Sequence, residues 1–598
     1  MRRFTSLAWA CWGAFLLAPA CGDDARPPEP WKPDVLCPGA GCPDTGETRL
    51  QVGFAKASLS PSAANYSTDP YADFADWHDD NCNDVWNPGE TAAGRPNGVW
   101  LFGRDSGRPG LGVHDDPDGH DDGLEARTIV IKTHGLAIAL TQLDLGGYFI
   151  DEMDKIRDLV RQAGDRVDLV LVGSTHNHEA PDTVGLWGRD DQHSGIDLKY
   201  IDFINHAAAQ SIHDALAGLQ EATLTIGQAR TEDAGGDMSH YVGDSRDPVV
   251  IDNMLTLFLW KKLDGTPITA LVNWSSHPDD TNGNNHMLTA GYPHYLRAAL
   301  ERGFTRMGTT YPALAPAVLF MEGQVGGQIG PSGLVHAIDD SGAEVHKCNL
   351  PQYAPQRGCP DPRNPGQFIH ITPDDCSLWP RAIGHAVATF AYKAAQTGAT
   401  TVADVPVGWR TKRFKAHVDN VGFQVLYLAG NFMGTRNIVD YDPTKPIDMT
   451  NRPATITEET YVTLGPSSFV TIPGELHPEL FLGGYHGEHA GTYPLIKPQN
   501  PNPPDLSKAP PPPYVCDVME GDYRFALGLT SDYLGYILPA FNFELGTPQP
   551  WIDEAPGDHY EETRSISGDA ETELIGTMKK LISYGRSNVP TTVNCPGR

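Results

Sequence analysis

Four short apolar runs, each stopping at a side chain able to hold a metal, constrain this chain more than any other feature of its sequence. Val167–Val172 runs straight into Gly173-Ser174-Thr175-His176-Asn177-His178-Glu179. Ile268–Trp274 stops at Ser275-Ser276-His277-Pro278-Asp279-Asp280. Ser468–Ile472 stops at Pro473-Gly474-Glu475-Leu476-His477, and Phe525–Leu529 leads to Asp532-Tyr533-Leu534-Gly535-Tyr536. Short apolar runs bounded by turn residues read as buried strands. In open α/β sheets, ligands bind beyond the carboxyl ends of strands. Any one of these ends also reads as an ordinary polar turn. Together they offer two imidazoles, a carboxylate and a phenol at equivalent places. Two imidazoles and a carboxylate form a catalytic zinc set that leaves room for water or substrate.

The segments between these runs alternate strand and helix. Arg127–Lys132 and Leu136–Leu143 read as strands about a turn at His134-Gly135. Ile150–Ala163 has helical spacing, with Ile156, Leu159 and Val160 on one face, and Tyr200–Leu219 is a second helix. Met254–Trp260 and Ile268–Trp274 form a hairpin about Asp264-Gly265. Tyr295–Gly303 and Arg381–Gln396 read as helices, Ala317–Met321 as a strand, Tyr461–Ile472 as a hairpin and Glu571–Ser583 as a helix. Length alone gives a prior of roughly four domains. Between Val52 and about Tyr584, however, there is no second tether and no repeat. The pattern is mixed α/β, in one large catalytic unit with long insertions.

The N-terminus reads as an address. Arg2-Arg3 precedes an apolar run from Leu7 to Ala18, too short to span a membrane as a mature helix. Ala18 and Ala20 fit a cleavage site, and Cys21 fits the acylated residue of a bacterial lipoprotein, although Leu17 lies one place further from it than usual. The expected organisation is a signal peptide over 1–20, a Pro/Gly-rich tether over 21–49 and a catalytic domain over 50–598. With Cys11 in the leader and Cys21 lipidated, an even set of cysteines remains: Cys37, Cys42, Cys82, Cys348, Cys359, Cys376, Cys516 and Cys595. In an exported chain these read as disulfides, with Cys37 and Cys42 closing a small loop. For Cys348, Cys359 and Cys376 structural disulfides are preferred over a metal site. The formal net charge is −32, from Lys+Arg 44 against Asp+Glu 76. Such a surface repels phosphates and anionic bilayers, so no nucleic-acid partner is expected, and membrane contact would come through a lipidated Cys21. The expected location is extracytoplasmic: an outer-membrane lipoprotein, periplasmic or secreted.

The motifs Gly173-Ser174-Thr175-His176-Asn177-His178, Asn273-Trp274-Ser275-Ser276-His277-Pro278, Ile472-Pro473-Gly474-Glu475 and Tyr533-Leu534-Gly535-Tyr536-Ile537 resemble, in this order, those of the neutral (non-lysosomal) ceramidase family. Val52-Gly53-Phe54-Ala55-Lys56-Ala57 resembles that family's first strand, and His559-Tyr560-Glu561 its late Tyr-Glu motif. The resemblance spans about residues 50 to 585. It implies the family's large mixed-sheet α/β metallohydrolase domain, with zinc held by His176, His277, Glu475 and Tyr536. It places His178 and Tyr560 beside the metal, hydrogen-bonding a substrate carbonyl or oxyanion. The implied reaction is hydrolysis of the amide of N-acyl sphingosine or a related N-acyl lipid.

Three departures accompany the resemblance. The family's Gly-Asp-x-Ser-Pro-Asn stretch corresponds to Gly323-Gln324-Val325-Gly326-Gly327-Gln328, which puts Gly326 at the place of a catalytic Ser and Gln328 at that of the Asn. Ser332 reads as a loop residue; Gln328 is the candidate for orienting substrate or water. The family's C-terminal immunoglobulin-like domain is expected to be missing. Between Glu475 and Tyr536 lies the Pro-rich loop Lys497–Pro513, placed to roof the pocket. These departures keep two alternatives open: an amidase or esterase for a non-ceramide acyl substrate, or a non-catalytic lipid- or glycan-binding surface lipoprotein. Two weaker signals remain. Asp79–Glu90 nearly fits a calcium loop, with Asp84 where Gly is needed. The run His114–Asp122 reads as a solvated acidic loop. Asp144, at the end of an apolar strand, is placed either to orient a ligand His or to cap the next helix.

Overall fold

The computed structural model describes residues 31–595 apart from 76, 78–84, 89, 91–96, 104–105, 117–119, 122, 191–192, 280–284, 329–334, 346–372 and 430–435. The signal segment, Cys21, Cys82, Ser332, Cys348, Cys359 and most of the expected calcium loop lie outside these residues. From Pro33 onward the described chain forms one unit.

Among the described residues three large sheets build it, each ending in a parallel pair, with four two-stranded sheets beside them. In the first, the order is Leu169–Ser174, Leu136–Leu143, Glu125–Thr133, Gln51–Ser58, Gln220–Glu221. In the second it is Val318–Glu322, Pro267–Trp274, Met254–Lys261, Thr223–Arg230, Thr400–Val402. The third runs Val35–Cys37, Val407–His417, Ala454–Leu464, Ser467–Thr471, Tyr523–Leu527, with Ile438–Val439 added on Ala454–Leu464. Most neighbours are antiparallel. The parallel pairs are Leu136–Leu143 with Leu169–Ser174, Pro267–Trp274 with Val318–Glu322, and Ser467–Thr471 with Tyr523–Leu527. All four expected apolar runs are therefore strands of these pairs.

The inner faces of the three sheets share one core. Ile129, Ile138 and Leu171 of the first sheet, Ile226, Phe258 and Leu319 of the second, and Trp409, Phe469 and Phe525 of the third pack in one cluster. Burial of apolar surface on both faces explains why these strands read as continuous apolar runs instead of alternating ones. Helices Ile150–Gln162 and Leu198–Ala217 cover the outer face of the first sheet, and Gly291–Arg302 and Pro373–Gln396 that of the second. Asp197 caps the Leu198–Ala217 helix through the Lys199 and Tyr200 amides. The hairpin expected about Asp264-Gly265 forms, with Gly265 at φ 89°.

The long strand Val407–His417 escaped the sequence reading. Its second half, Lys412-Arg413-Phe414-Lys415, is basic and looks solvated. In the fold Arg413 Nε donates to Glu458 on the paired strand at 2.8 Å, so charge and register support each other.

Asp144 takes neither role expected of it. It accepts from both terminal nitrogens of buried Arg297, each at 2.8 Å, and from the Glu125 amide at 3.0 Å. The helix start at Ile150 is served by Asp532 Oδ1 instead, at 3.1 Å. The Asp144–Arg297 pair joins the first sheet to the Gly291–Arg302 helix. Arg297→Ala leaves a buried carboxylate without its counter-charge and should cost about 3–5 kcal/mol, read as a lowered midpoint of chemical denaturation.

Cys37 pairs with Cys42 and Cys516 with Cys595, and Cys376 is disulfide-bonded as well. Such bonds fit an extracytoplasmic chain. No helix among the described residues is long and apolar enough to cross a membrane.

Candidate metal centre

The carboxyl ends of the three parallel pairs meet, and the segment Gly528–Ser531 knits them. Gly528 N donates to Glu322 O at 2.9 Å, Ser174 N to Leu529 O at 3.1 Å, and Ser531 N to Val172 O at 2.9 Å. Asn273 Nδ2 adds a bond to Ala526 O at 2.9 Å. This crossing sets the depth at which each strand releases its polar end.

His176 leaves the first sheet with φ 64°, a backbone region costly for a residue with a Cβ. Its Nδ1 donates to Gly146 O at 2.7 Å. His277 Nδ1 donates to Val325 O at 2.9 Å. A carbonyl only accepts, so each ring carries its proton on Nδ1 when neutral and presents a bare Nε2 lone pair. Burial lowers the His277 pKa, which keeps that ring neutral. Both Nε2 atoms lie 3.2 Å from one oxygen of Glu475, Oε2. That oxygen, fully buried, has no hydrogen-bond donor, whereas Oε1 accepts from Tyr533 at 2.9 Å. Three electron-rich atoms thus face one another at short range, an arrangement that a cation stabilises.

The phenol of Tyr536 stands 3.4 Å from His277 Nε2 and 3.2 Å from the Tyr560 hydroxyl. Burial, reinforced by Glu475 for Tyr536 and by Glu561 for Tyr560, pushes both phenols well above their ordinary pKa. His178 sits beside the cluster. Nitrogens of His176, His178 and His277 come within 4.8 Å of one another, so these three rings also offer a metal site. Neither ring nitrogen of His178 makes a hydrogen bond, and burial drives its pKa well down, leaving a neutral ring. Gly103 has φ 80°, and a Cβ there would lie 2.5 Å from His178 Nδ1, so only glycine lets this ring keep its place.

These groups form the floor of a cavity of about 350 Å³, walled by Phe102, Leu186, Trp187 and Phe423 and reached also by Ser245, Asp279 and Arg564. The Phe102 ring packs tilted against Trp187, centroids 4.2 Å apart, and meets the rings of His176 and His178 edge-on at centroid distances of 5.5 and 5.3 Å. No sequence signal marks these aromatics as one wall, because Phe102 and Trp187 come from separate loops and Phe423 from the helix Val421–Ala429. No described residue of Lys497–Pro513 lines the cavity. Lys497 instead hydrogen-bonds Ser245 O from outside.

No protein-family model matches the chain, and no curated protein matches it. Solved structures do. The crystal structure of neutral ceramidase from Pseudomonas aeruginosa aligns with a TM-score of 0.54 at 13% identity, over 92% of this chain and 76% of that one. A ceramidase complexed with C2 gives a TM-score of 0.53 at 13% identity, over 92% and 77%. This is the neutral ceramidase fold.

Within the ceramidase fold Gln328 departs from its sequence-based expectation, whereas Gly326 leaves the place of the family's Ser without a hydroxyl, as expected. Gln328 is fully buried and does not line the cavity. Its amide donates to Ser275 O at 2.7 Å and accepts from the Asp252 amide at 2.8 Å, while its backbone oxygen accepts from the His277 amide at 3.0 Å. It holds the His277 loop and has no atom left for substrate. Gly326 has no room for a side chain: a Cβ would lie 2.6 Å from both the amide nitrogen and Cδ2 of His477. The sequence reading also passed over Arg246, buried among Glu561, Glu562 and Asn542 O. Its bonds to them, 2.6–3.0 Å long, fix the turn that carries Tyr560. Of the calcium-like run, residues 85–88 and 90 are described, and there Glu90 Oε2 accepts from Asn87 N at 2.9 Å and Trp77 Nε1 at 3.1 Å.

Proposed function

We propose that this chain is a zinc-dependent hydrolase that cleaves the amide bond of an N-acyl lipid of the N-acyl sphingosine type. One observation carries the reading: two bare imidazole nitrogens and a donor-free carboxylate oxygen converge at the floor of an aromatic cavity. His176, His277 and Glu475, with Tyr536, would hold the ion, and this donor set suits zinc. Bound zinc supplies Lewis acidity to a carbonyl and acidifies water in contact with it. The aromatic wall receives the acyl chain and excludes bulk water. Tyr560, kept protonated by burial, donates to the carbonyl oxygen as it gains charge. Neutral His178 offers one donor and one acceptor nitrogen for the same oxygen or for the departing amine. Tyr533 keeps Glu475 oriented.

The names of the two ceramidases of this fold support the substrate class. A specific observation keeps a non-ceramide acyl substrate in view: the packed Gly326 removes a hydroxyl that the resemblance assigns to catalysis. Purified protein, dialysed against a chelator, should lose hydrolysis of N-acyl lipids and regain it with one equivalent of zinc. Turnover that survives complete chelation is incompatible with the reading. Calcium at Asp79–Glu90 and lipidation at Cys21 remain parts of the proposal; mass spectrometry of the mature N-terminus checks the latter.

A further inference from the structure

Arg564 is the one lysine or arginine among the described residues that line the cavity. In a chain with Asp+Glu 76 against Lys+Arg 44, free carboxylates are abundant. Arg246, Arg297 and Arg436 are all tied to buried carboxylates. Arg564 makes no hydrogen bond or ion pair with any described residue, and its side chain is exposed at the rim. Its backbone is the opposite of loose. It ends the short helix Glu561–Arg564 that follows Tyr560. Asn420 Nδ2 clamps the carbonyls on either side, Thr563 O at 2.9 Å and Ser565 O at 3.0 Å. Gly535 bridges to Ser565, and a Cβ at Gly535 would sit 1.9 Å from Arg564 O. The backbone of Arg564 is thus held against the strand end that carries Tyr536.

An arginine without a partner among the described residues, set on a held backbone beside apolar walls, suits a carboxylate, which it binds with two parallel N–H donors. The walls of Phe102, Leu186, Trp187 and Phe423 suit an acyl chain and reject charge. The anionic end of a substrate therefore belongs at the rim. We propose that Arg564 recognises a carboxylate on the amine half of the substrate, so that the preferred class is N-acyl amino acids and not neutral N-acyl amino alcohols. This rests on the metal-dependent amide hydrolase reading above and takes its non-ceramide acyl alternative in place of the N-acyl sphingosine type. Water adds across the amide C–N bond: its oxygen goes to the acyl carbon, a proton goes to the departing nitrogen, and a fatty acid and a free amino acid result.

N-dodecanoylglycine and N-dodecanoylethanolamine are close in size and differ by one charge. The zinc-loaded full chain should favour the first by about tenfold or more in kcat/KM, mostly through KM, the scale of one charge-assisted hydrogen bond. Arg564→Gln should lower kcat/KM for the glycine conjugate at least about tenfold more than for the ethanolamide, and Arg564→Lys should restore part of the difference. Equal kcat/KM for the two in the wild type, a preference that survives Arg564→Gln, or a stronger preference for N-dodecanoylphosphoethanolamine would each overturn the proposal. If neither amide is cleaved, the hydrolase reading fails. Calorimetry then decides the site: N-dodecanoylglycine binding weakened by Arg564→Gln upholds it, and unchanged or absent binding refutes it.

Discussion

His176→Ala should empty the metal centre. Zinc measured on the purified variant is expected to drop from about one ion per chain to a trace, and hydrolysis to drop with it. Loss of a mere hydrogen-bonding partner of a ligand costs roughly 10–100-fold in affinity, and loss of a ligand costs more. The variant also leaves Glu475 Oε2 buried with only the His277 ring beside it. His206, an exposed helical residue, is the control: His206→Ala should keep its zinc. Full zinc retained by His176→Ala would falsify the assignment of the centre. A folded circular dichroism spectrum separates loss of the ion from loss of the fold.

Tyr560→Phe should lower kcat by about 10²–10³ with little change in KM, the usual cost of one donor to a developing oxyanion. The ring and its packing remain, so zinc content should stay at one per chain. The hydroxyl removed is the one 3.2 Å from that of Tyr536. A kcat within threefold of wild type would show that the carbonyl is stabilised elsewhere, with His178 the next residue to change. Together the two variants separate holding the ion from using it.

Much of the fold was legible because local chemistry and global packing agree. Leu169–Val172, Ile268–Trp274 and Ser468–Ile472 are buried on both faces, which keeps charge out of them and makes them visible as largely apolar runs. Val407–His417 was not legible, since its charges are satisfied by a strand distant in sequence. The same contrast holds in the site. His176, His277, Glu475 and Tyr536 stand at the ends of visible strands, so sequence could nominate them. Phe102 and Trp187 come from two loops and Phe423 from a helix, distant in sequence, and nothing local marks them as one wall.

Gln328 and Gly326 show the limit from the other side. A resemblance assigns roles by position, whereas a role depends on free atoms and free volume. Gln328 spends its amide on Ser275 and Asp252, and His477 fills the space where a side chain at 326 would go. By itself the sequence determined the mixed α/β class, the strands and the residue types offered at their ends, because strand burial and chelating chemistry are written residue by residue. Only the tertiary structure decided that three sheets converge, that two Nε2 lone pairs meet one carboxylate oxygen, and that Arg564 stands at the rim without a partner among the described residues. These depend on how far apart segments cross, at Gly528–Ser531 above all, and no local pattern encodes that distance.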